Sequence, residues 1–327
     1  MVAAVGDLGR TRRKSPRLKF VFTEHGCGIT YNGGGASYLG SRKRDNVDLI
    51  LVPNPQSKAL QDEATPHIEI VSLGSSPRLD PWAPGQPAQV AYERSDPPNL
   101  ALSWHWACKV NPETQTALRW YRNDFGRLLG QPWHVLGHGH PRAWATLRVI
   151  YDHWEIEKVR TFDEVLARAD IYSADNSSTI YEFAATGRPV VVVNCPRYRR
   201  DVHHGLRFWD YIPGIQVDTA EEWADAIAEA IEDPPHLRAL RQEAVDYVYP
   251  QHDGNATGRA VEAVVQALDR AEPEQILYST PTDEYVVRDE RGLVVARYLV
   301  HYEAKTHAKK IGGTFDVEST SKILGRR

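Results

Sequence analysis

Ala169-Asp170-Ile171-Tyr172-Ser173-Ala174-Asp175-Asn176-Ser177-Ser178-Thr179-Ile180-Tyr181-Glu182-Phe183 is the stretch on which the fold turns. Its first half is an apolar run ending at about Ala174, the pattern of a strand buried on both faces. Its second half begins a helix at Ser177, with Asn176 or Asp175 as the capping residue. In an open parallel sheet, ligands sit just beyond the carboxyl ends of the strands. The N–H groups of a first helical turn, with the Ser177 and Ser178 hydroxyls beside them, suit a phosphate there. Glu182 lies one turn beyond Ser178, where a carboxylate can take a ribose diol. A plain capped helix whose serines satisfy their own backbone fits the same letters.

Outward from this stretch, strands at Leu100–Trp104, His134–Gly137, Ile156–Val159, Val190–Asn194 and Ile215–Val217 alternate with helical segments. The helices are expected over 113–129, 142–153, 161–169, 177–187, 219–232, 235–248 and 255–271. Thr219 with Glu222 reads as a capping box, and Gly187-Arg188-Pro189 ends the preceding helix. Upstream, Leu18–Thr23, Val47–Val52 and Ile68–Leu73 are three further buried strands. The alternation predicts an α/β fold with parallel sheets and helices on their faces. Five segments follow: a loose basic arm over 1–17, a short α/β domain over 18–80, a Pro-rich linker over 81–98, a larger α/β domain over 99–271, and an extension over 272–327. In the extension, Arg291-Gly292 lies between two apolar runs as in a β-hairpin.

Composition narrows the function. The 327 residues carry a formal charge of −4, with 42% hydrophobic and 25% charged residues. The mean hydropathy is −0.48. The slightly acidic total argues against nucleic acid as the main ligand. No apolar run reaches the ~18–20 residues of a membrane span, and basic residues occupy the stretch where a leader would be apolar. Cys27, Cys108 and Cys195 lie far apart, so neither a disulfide framework nor a structural zinc site is encoded. A cytoplasmic location is expected.

Other strand ends carry candidate chemistry. Gly137-His138-Gly139-His140-Pro141 places a histidine that can donate to a phosphate or carry a proton near neutral pH. His134, His138 and His140 are close enough in sequence to suggest a metal, but no fourth ligand has fitting spacing. Thr23-Glu24-His25-Gly26-Cys27-Gly28 places His25, flanked by Gly26, as a base toward a hydroxyl nucleophile. A solvated loop histidine and a small buried thiol fit that segment equally. In Gly74-Ser75-Ser76-Pro77-Arg78-Leu79-Asp80, Arg78 can meet an anion or pair with Asp80. His203-His204-Gly205 lies on a later loop.

In order along the chain, these segments resemble the CDP-glycerol glycerophosphotransferase family, the teichoic-acid polymerase-like group of GT-B type. The family shows a W-H-G-T-P-like segment, then G-x-P-R-x-D, H-P, D-x-S-S-x-x-x-D-F, R-G-F running to P-G, and D-G-N-A. The counterparts here are Glu24-His25-Gly26-Cys27-Gly28, Ser76-Pro77-Arg78-Leu79-Asp80, His140-Pro141 and Asp175-Asn176-Ser177-Ser178 with Glu182-Phe183. His204-Gly205-Leu206-Arg207-Phe208 running to Pro213-Gly214, and Asp253-Gly254-Asn255-Ala256, complete the set.

The resemblance spans about residues 18–270 and implies a GT-B-like α/β fold, two Rossmann-like parallel-sheet domains facing a cleft, the N-terminal one truncated. It implies a transferase that moves a glycosyl or glycerol-phosphate group from a nucleotide-diphosphate donor to a hydroxyl acceptor. The donor is CDP-glycerol or a nucleotide sugar; the acceptor is a polyol, a glycan or a modified macromolecule. By matching position, His25 and His140 are the catalytic pair, and Asn176, Ser177, Ser178, Glu182 and His204 hold the donor. Gly26, Arg78 and Asp80 are acceptor-side or structural, and neither metal nor cofactor is implied. No integral membrane segment is expected, and peripheral membrane contact stays open. Where the family has Thr-Pro, this chain has Cys27-Gly28; where it has an arginine before the later glycine, His204; and where it has aspartate, Glu182. Fewer than twenty residues precede the first strand, less than the resemblance leads one to expect. A non-catalytic nucleotide- or glycan-binding module that kept the donor domain is the competing reading.

Overall fold

The computed structural model describes residues 2–3, 19–24, 26–27, 47–107, 116–175, 177–196, 209–269, 283–288, 290–291, 294–298 and 314–319. Met1–Arg270 make one compact unit and Ala271–Arg327 a second.

The first unit holds two parallel sheets. Strands β1 (Val2–Ala3), β2 (Val21–Thr23), β3 (Leu49–Val52) and β4 (Glu69–Ser72) pair in that order. Val2–Ala3, read from sequence as part of a loose arm, instead pair with Val21 and Phe22. The second sheet contains β5 (Asn99–Trp104), β6 (His134–Gly139), β7 (Glu157–Lys158), β8 (Ile171–Ala174), β9 (Val190–Val193) and β10 (Ile215–Val217). Its order is β10-β9-β8-β5-β6-β7 with every pair parallel. This is the doubly wound nucleotide-binding order, whose switch point falls between β5 and β8.

Both faces of the second sheet are apolar, as the unbroken hydrophobic runs require. Leu100, Leu102, Trp104, Val191 and Val193 lie in one core cluster. Ala101, Tyr172, Val190 and Val192 lie in the other. On the first face, Trp104 stacks on Phe125 at 5.7 Å and meets Trp223 edge-on at 5.8 Å.

The helices differ in detail from the sequence reading. Within 113–129 only α3 (Leu118–Tyr121) and one 3-10 turn (Phe125–Arg127) form among the described residues. The helix expected from 219 begins later, as α7 (Trp223–Glu232), with no side-chain cap among the described residues. Glu222 does not close a box with Thr219; its carboxylate accepts from the Asp218 N–H at 3.2 Å. The indole N–H of Trp223 donates to Ser173 at 2.9 Å, so tertiary anchoring sets where the helix starts. A true capping box forms instead at Thr161 and Glu164, opening α5 (Phe162–Arg168). The Pro-rich 81–98 stretch contains one short helical turn, α2 (Pro87–Val90).

Helix α9 (Ala256–Asp269), assigned from sequence to the larger domain, packs on the first sheet. Ala263 is buried with Val21, Leu49, Leu51 and Leu73, and Ala260, Val264 and Ala267 cover the same face. Arg259 donates from Nε to the Leu73 carbonyl at 2.6 Å. The second unit is a three-stranded antiparallel sheet, order β12-β11-β13. The expected hairpin is there as β11 (Asp283–Arg288) with β12 (Val294–Tyr298), and a third strand, β13 (Thr314–Ser319), pairs on the far side of β11.

Candidate active site

The carboxyl ends of β5, β6 and β8 bring three sequence-distant segments to the switch point. After β8, the buried Asp175 accepts from the backbone N–H of His105 at 2.7 Å and of Ala117 at 2.9 Å. It thereby fastens the end of β5 to the end of β8 instead of capping the following helix. That helix, α6, runs Thr179–Ala184 after Ser178 and has no side-chain cap among the described residues. Ser177 turns toward Thr179: the two hydroxyls are 2.6 Å apart, and the Thr179 N–H donates to Ser177 Oγ at 3.3 Å. Both serines are half-buried.

After β6, the glycines of Gly137-His138-Gly139-His140 allow close packing. A Cβ at Gly137 would meet the Tyr151 ring at 2.7 Å, and one at Gly139 would meet Leu147 at 2.2 Å. Both contacts are with α4 (Trp144–His153), which therefore lies tight against the strand. His138 points to the other face. It is buried, within 2.9 Å of the Ser103 hydroxyl, and burial pulls its pKa down to about 4. His140, half-buried at the strand's end, accepts the Arg142 N–H on Nδ1 at 3.1 Å. A neutral His140 therefore carries its proton on Nε2. His134 stands at the opposite end of β6, paired with Glu157 at 2.7 Å. The whole length of the strand, roughly 20 Å at the usual rise per residue, separates His134 from His140, so the three histidines do not converge.

The first sheet reaches the same place through the loop after β2. Asn54 donates from Nδ2 to the Cys27 carbonyl at 2.7 Å and accepts the Ser57 N–H at 2.8 Å, tying this loop to the end of β3. Cys27 is a buried free thiol. Gly26, at φ +66°, lies so close to α6 that an added Cβ would be 2.1 Å from Ser178 Oγ and 3.7 Å from Glu182 Oε1. Only glycine suits that conformation and that approach.

Glu182 sits beneath this contact and is 4% exposed. Its Oε2 has no hydrogen-bond partner among the described residues. Arg78, half exposed, is 3.7 Å from that oxygen and 3.8 Å from Asp163. Burial raises the Glu182 pKa to about 7, against the lowering pull of Arg78. Arg78 thus pairs with Glu182 and Asp163, while Asp80 does something else. The Asp80 carboxylate accepts the N–H groups of Ala256 and Thr257 at 2.9 and 2.8 Å and so caps α9. The Ser76–Asp80 and Asp253–Ala256 motifs are therefore two halves of one structural joint.

His25, Asn176 and His204 lie outside the described residues. Sequence reasoning passed over His105 and Trp106, which follow β5 and surround His140. The ring centroids lie 5.3 Å apart for His105–His140 and 6.0 Å for Trp106–His140. The strand-end rule used for His140 applies equally to Leu100–Trp104 and would have found them. A cavity of about 540 Å³, lined by Trp82, Thr186, Arg238, Gln242 and His252, lies by the carboxyl end of α6, away from this cluster.

Two parallel sheets in one unit, the second doubly wound with polar groups gathered at its switch point, have the architecture of GT-B-type transferases. Residues 121–266 match the model of the family described as CDP-Glycerol:Poly(glycerophosphate) glycerophosphotransferase. The chain is accordingly a CDP-glycerol glycerophosphotransferase-like transferase, as its motif order implied. Its fold is similar to that of the wall teichoic acid polymerase TagF, in a variant soaked with CDPG. That match has a TM-score of 0.58 and 13% identity, over 80% of this chain and 70% of that one. A second TagF variant matches at TM-score 0.58 and 13% identity, over 80% and 71%. The S. aureus MnaA–UDP structure matches at TM-score 0.50 and 14% identity, over 77% and 69%. No curated protein sequence matches the chain. Among the described residues, no helix is long and apolar enough to cross a membrane.

Proposed function

We propose that this transferase moves a glycerol-phosphate or glycosyl group from a nucleotide-diphosphate donor to a hydroxyl acceptor, with CDP-glycerol the first donor to test. The observation that carries the reading is the meeting, at the β5/β8 switch point, of the Ser177-Ser178 turn, His140 and the Gly26 loop of the first sheet. In this reading Ser177, Ser178 and His140 hold the diphosphate, Asn176 and His204 flank it, and Glu182 lies toward the ribose. The Nε2 proton of His140 is suited to a phosphate oxygen. Fixed donors facing developing negative charge are an effective way to stabilise a departing nucleotide, and the reading assigns that work to side chains and N–H groups without a metal. His25, adjacent to Gly26, acts as base on the acceptor hydroxyl, which is a polyol, a glycan or a modified macromolecule. The location assigned is the cytoplasm, where nucleotide-activated donors are made.

The test is a thermal-shift panel of CDP-glycerol, UDP-sugars and GDP-sugars, followed by turnover with the tightest binder. A ligand near 100 times its dissociation constant adds about 2.7 kcal/mol of stability, which for a unit of this size is a shift of several degrees. No shift with any nucleotide overturns the reading.

A further inference from the structure

A file of hydroxyl groups runs from the buried face of the second sheet to the Ser177 turn. His138 and Ser103 are register partners on β6 and β5, with Nδ1 and Oγ 2.9 Å apart. Ser103 also hydrogen-bonds the Tyr172 phenol, which lies on the same face because Tyr172 is in register with Ala101. Tyr172 Oη is 2.7 Å from Thr179 Oγ1, and Thr179 Oγ1 is 2.6 Å from Ser177 Oγ. Ser103, His138 and Tyr172 are buried; Thr179 and Ser177 are half-buried at the end of the file.

Each hydroxyl owns one proton, so the direction of the first hydrogen bond dictates all the others. If the Ser103 hydroxyl donated to His138, every proton would turn inward. Ser177 would then donate to Thr179 and present lone pairs to an incoming phosphate. If Nδ1–H of His138 donates to Ser103, the order reverses: Ser103 donates to Tyr172, Tyr172 to Thr179, and Thr179 to Ser177. Ser177 Oγ would then accept both from the Thr179 hydroxyl and from the Thr179 N–H, and its own proton would face outward. The surroundings of the imidazole select between the two. Its other nitrogen faces the Phe162 ring, 6.1 Å between centroids, and has no acceptor among the described residues, so an N–H there would be unsatisfied. Burial keeps the ring neutral at physiological pH, so it holds one N–H, the one Ser103 can accept.

We infer that His138 is a positioning residue that, through Ser103, Tyr172 and Thr179, turns the Ser177 proton outward toward an anionic phosphate oxygen. The inference rests on the proposed diphosphate site. Hydrogen bonds in series also polarise one another, strengthening the last donor.

The test has a ligand-free arm and a binding arm. Long-range proton–nitrogen NMR of the full chain labelled with ¹⁵N-histidine should show His138 as the Nδ1–H tautomer; the Nε2–H tautomer overturns the inference. Calorimetry then compares CDP with cytidine, and UDP and GDP with their nucleosides, using the diphosphate that binds best. Tyr172→Phe, Ser103→Ala and His138→Leu should each weaken the diphosphate about tenfold and leave the nucleoside unchanged. His138→Asn, which keeps a donor at the Nδ1 position, should restore most of the loss. Equal weakening of nucleoside and diphosphate in Tyr172→Phe and Ser103→Ala would mean a general packing defect and refute the relay. A Ser177→Ala loss without a Tyr172→Phe loss refutes the relay while sparing the phosphate site. No effect of Ser177→Ala, or no diphosphate bound at all, refutes the site itself and the relay with it.

Discussion

Glu182→Gln should stabilise the first unit at alkaline pH and do little at acid pH. A carboxylate ordinarily titrating at 4.5 is raised here to about 7, chiefly by burial. A raised acid pKa means that the folded state resists ionisation more than the unfolded chain does. Below pH 4.5 the group is protonated in both states and costs nothing. Between 4.5 and 7 the unfolded chain ionises first, and stability falls as pH rises. Above 7 the penalty is complete. Its size follows from 1.36 kcal/mol per pH unit: raising 4.5 to about 7 corresponds to about 3 kcal/mol at pH 8. Glutamine has nearly the same shape and no charge, so it should recover much of that amount at pH 8 and almost none at pH 4.

The assay is urea unfolding followed by tryptophan fluorescence. All nine tryptophans lie between Trp82 and Trp223, so the signal reports the unit Met1–Arg270 alone. Wild type should lose stability between pH 5 and pH 8 relative to Glu182→Gln, with the two curves converging in acid. Parallel curves across that range would refute the argument that a buried, poorly solvated carboxylate is carried here at a cost. Arg78→Ala offers an internal check. Without the guanidinium 3.7 Å away, the pKa should rise further and the loss should move to higher pH.

Asp80→Ala should lower the melting temperature by several degrees, because two charge-assisted bonds to the start of α9 disappear, worth about 1–2 kcal/mol; a loss of nucleotide affinity with unchanged melting would restore an acceptor-side role. Gly26→Ala should destabilise by about 1–2 kcal/mol from its left-handed backbone alone, and displace Ser178; a mutant with wild-type melting and nucleotide affinity would show that the loop and α6 do not press together. His25→Ala should cut the transfer rate by about 10²–10⁴ while donor affinity stays nearly constant, and collapse of donor binding with rate intact would make His25 a donor ligand.

How much of this was legible in the sequence depended on the range of the interactions involved. Ile171–Ala174 and Ile215–Val217 are strands to the residue, because unbroken apolar runs bounded by turn residues leave few options. The parallel alternation and the strand-end location of Ser177, Ser178 and His140 followed from the same local patterns. Side-chain partnerships did not. Asp80 lies 176 residues from Ala256, and only the folded chain shows that one motif caps the helix begun by the other. Arg78 has Asp80 two residues away, yet pairs with Glu182 and Asp163, because the 3-10 turn Pro77–Trp82 points the two side chains toward different neighbours. The capping boxes make the point in miniature. Thr161 and Glu164 carry the signature and form it, whereas Thr219 and Glu222 carry it and do not, since the Trp223 anchor to Ser173 overrides the local preference.

The places where this chain tolerates unfavourable local physics are not scattered. Gly26 in a left-handed conformation and the half-buried serine pressed against it are neighbours of Glu182, whose Oε2 lacks a hydrogen-bond partner among the described residues. All three meet at the start of α6. A fold selected for stability alone would fill that space with an apolar side chain, because replacing a poorly compensated buried charge commonly gains stability. Perturbed carboxylates that persist in such surroundings mark functional sites more often than structural ones. The parallel topology supplies the reason for the location: it collects the loops after β2, β5, β6 and β8, and those loops are free to vary in chemistry while the strands beneath them stay fixed by packing. The cost at Glu182 and the accessibility of Ser177 and His140 therefore have one common origin, the switch point of the second sheet.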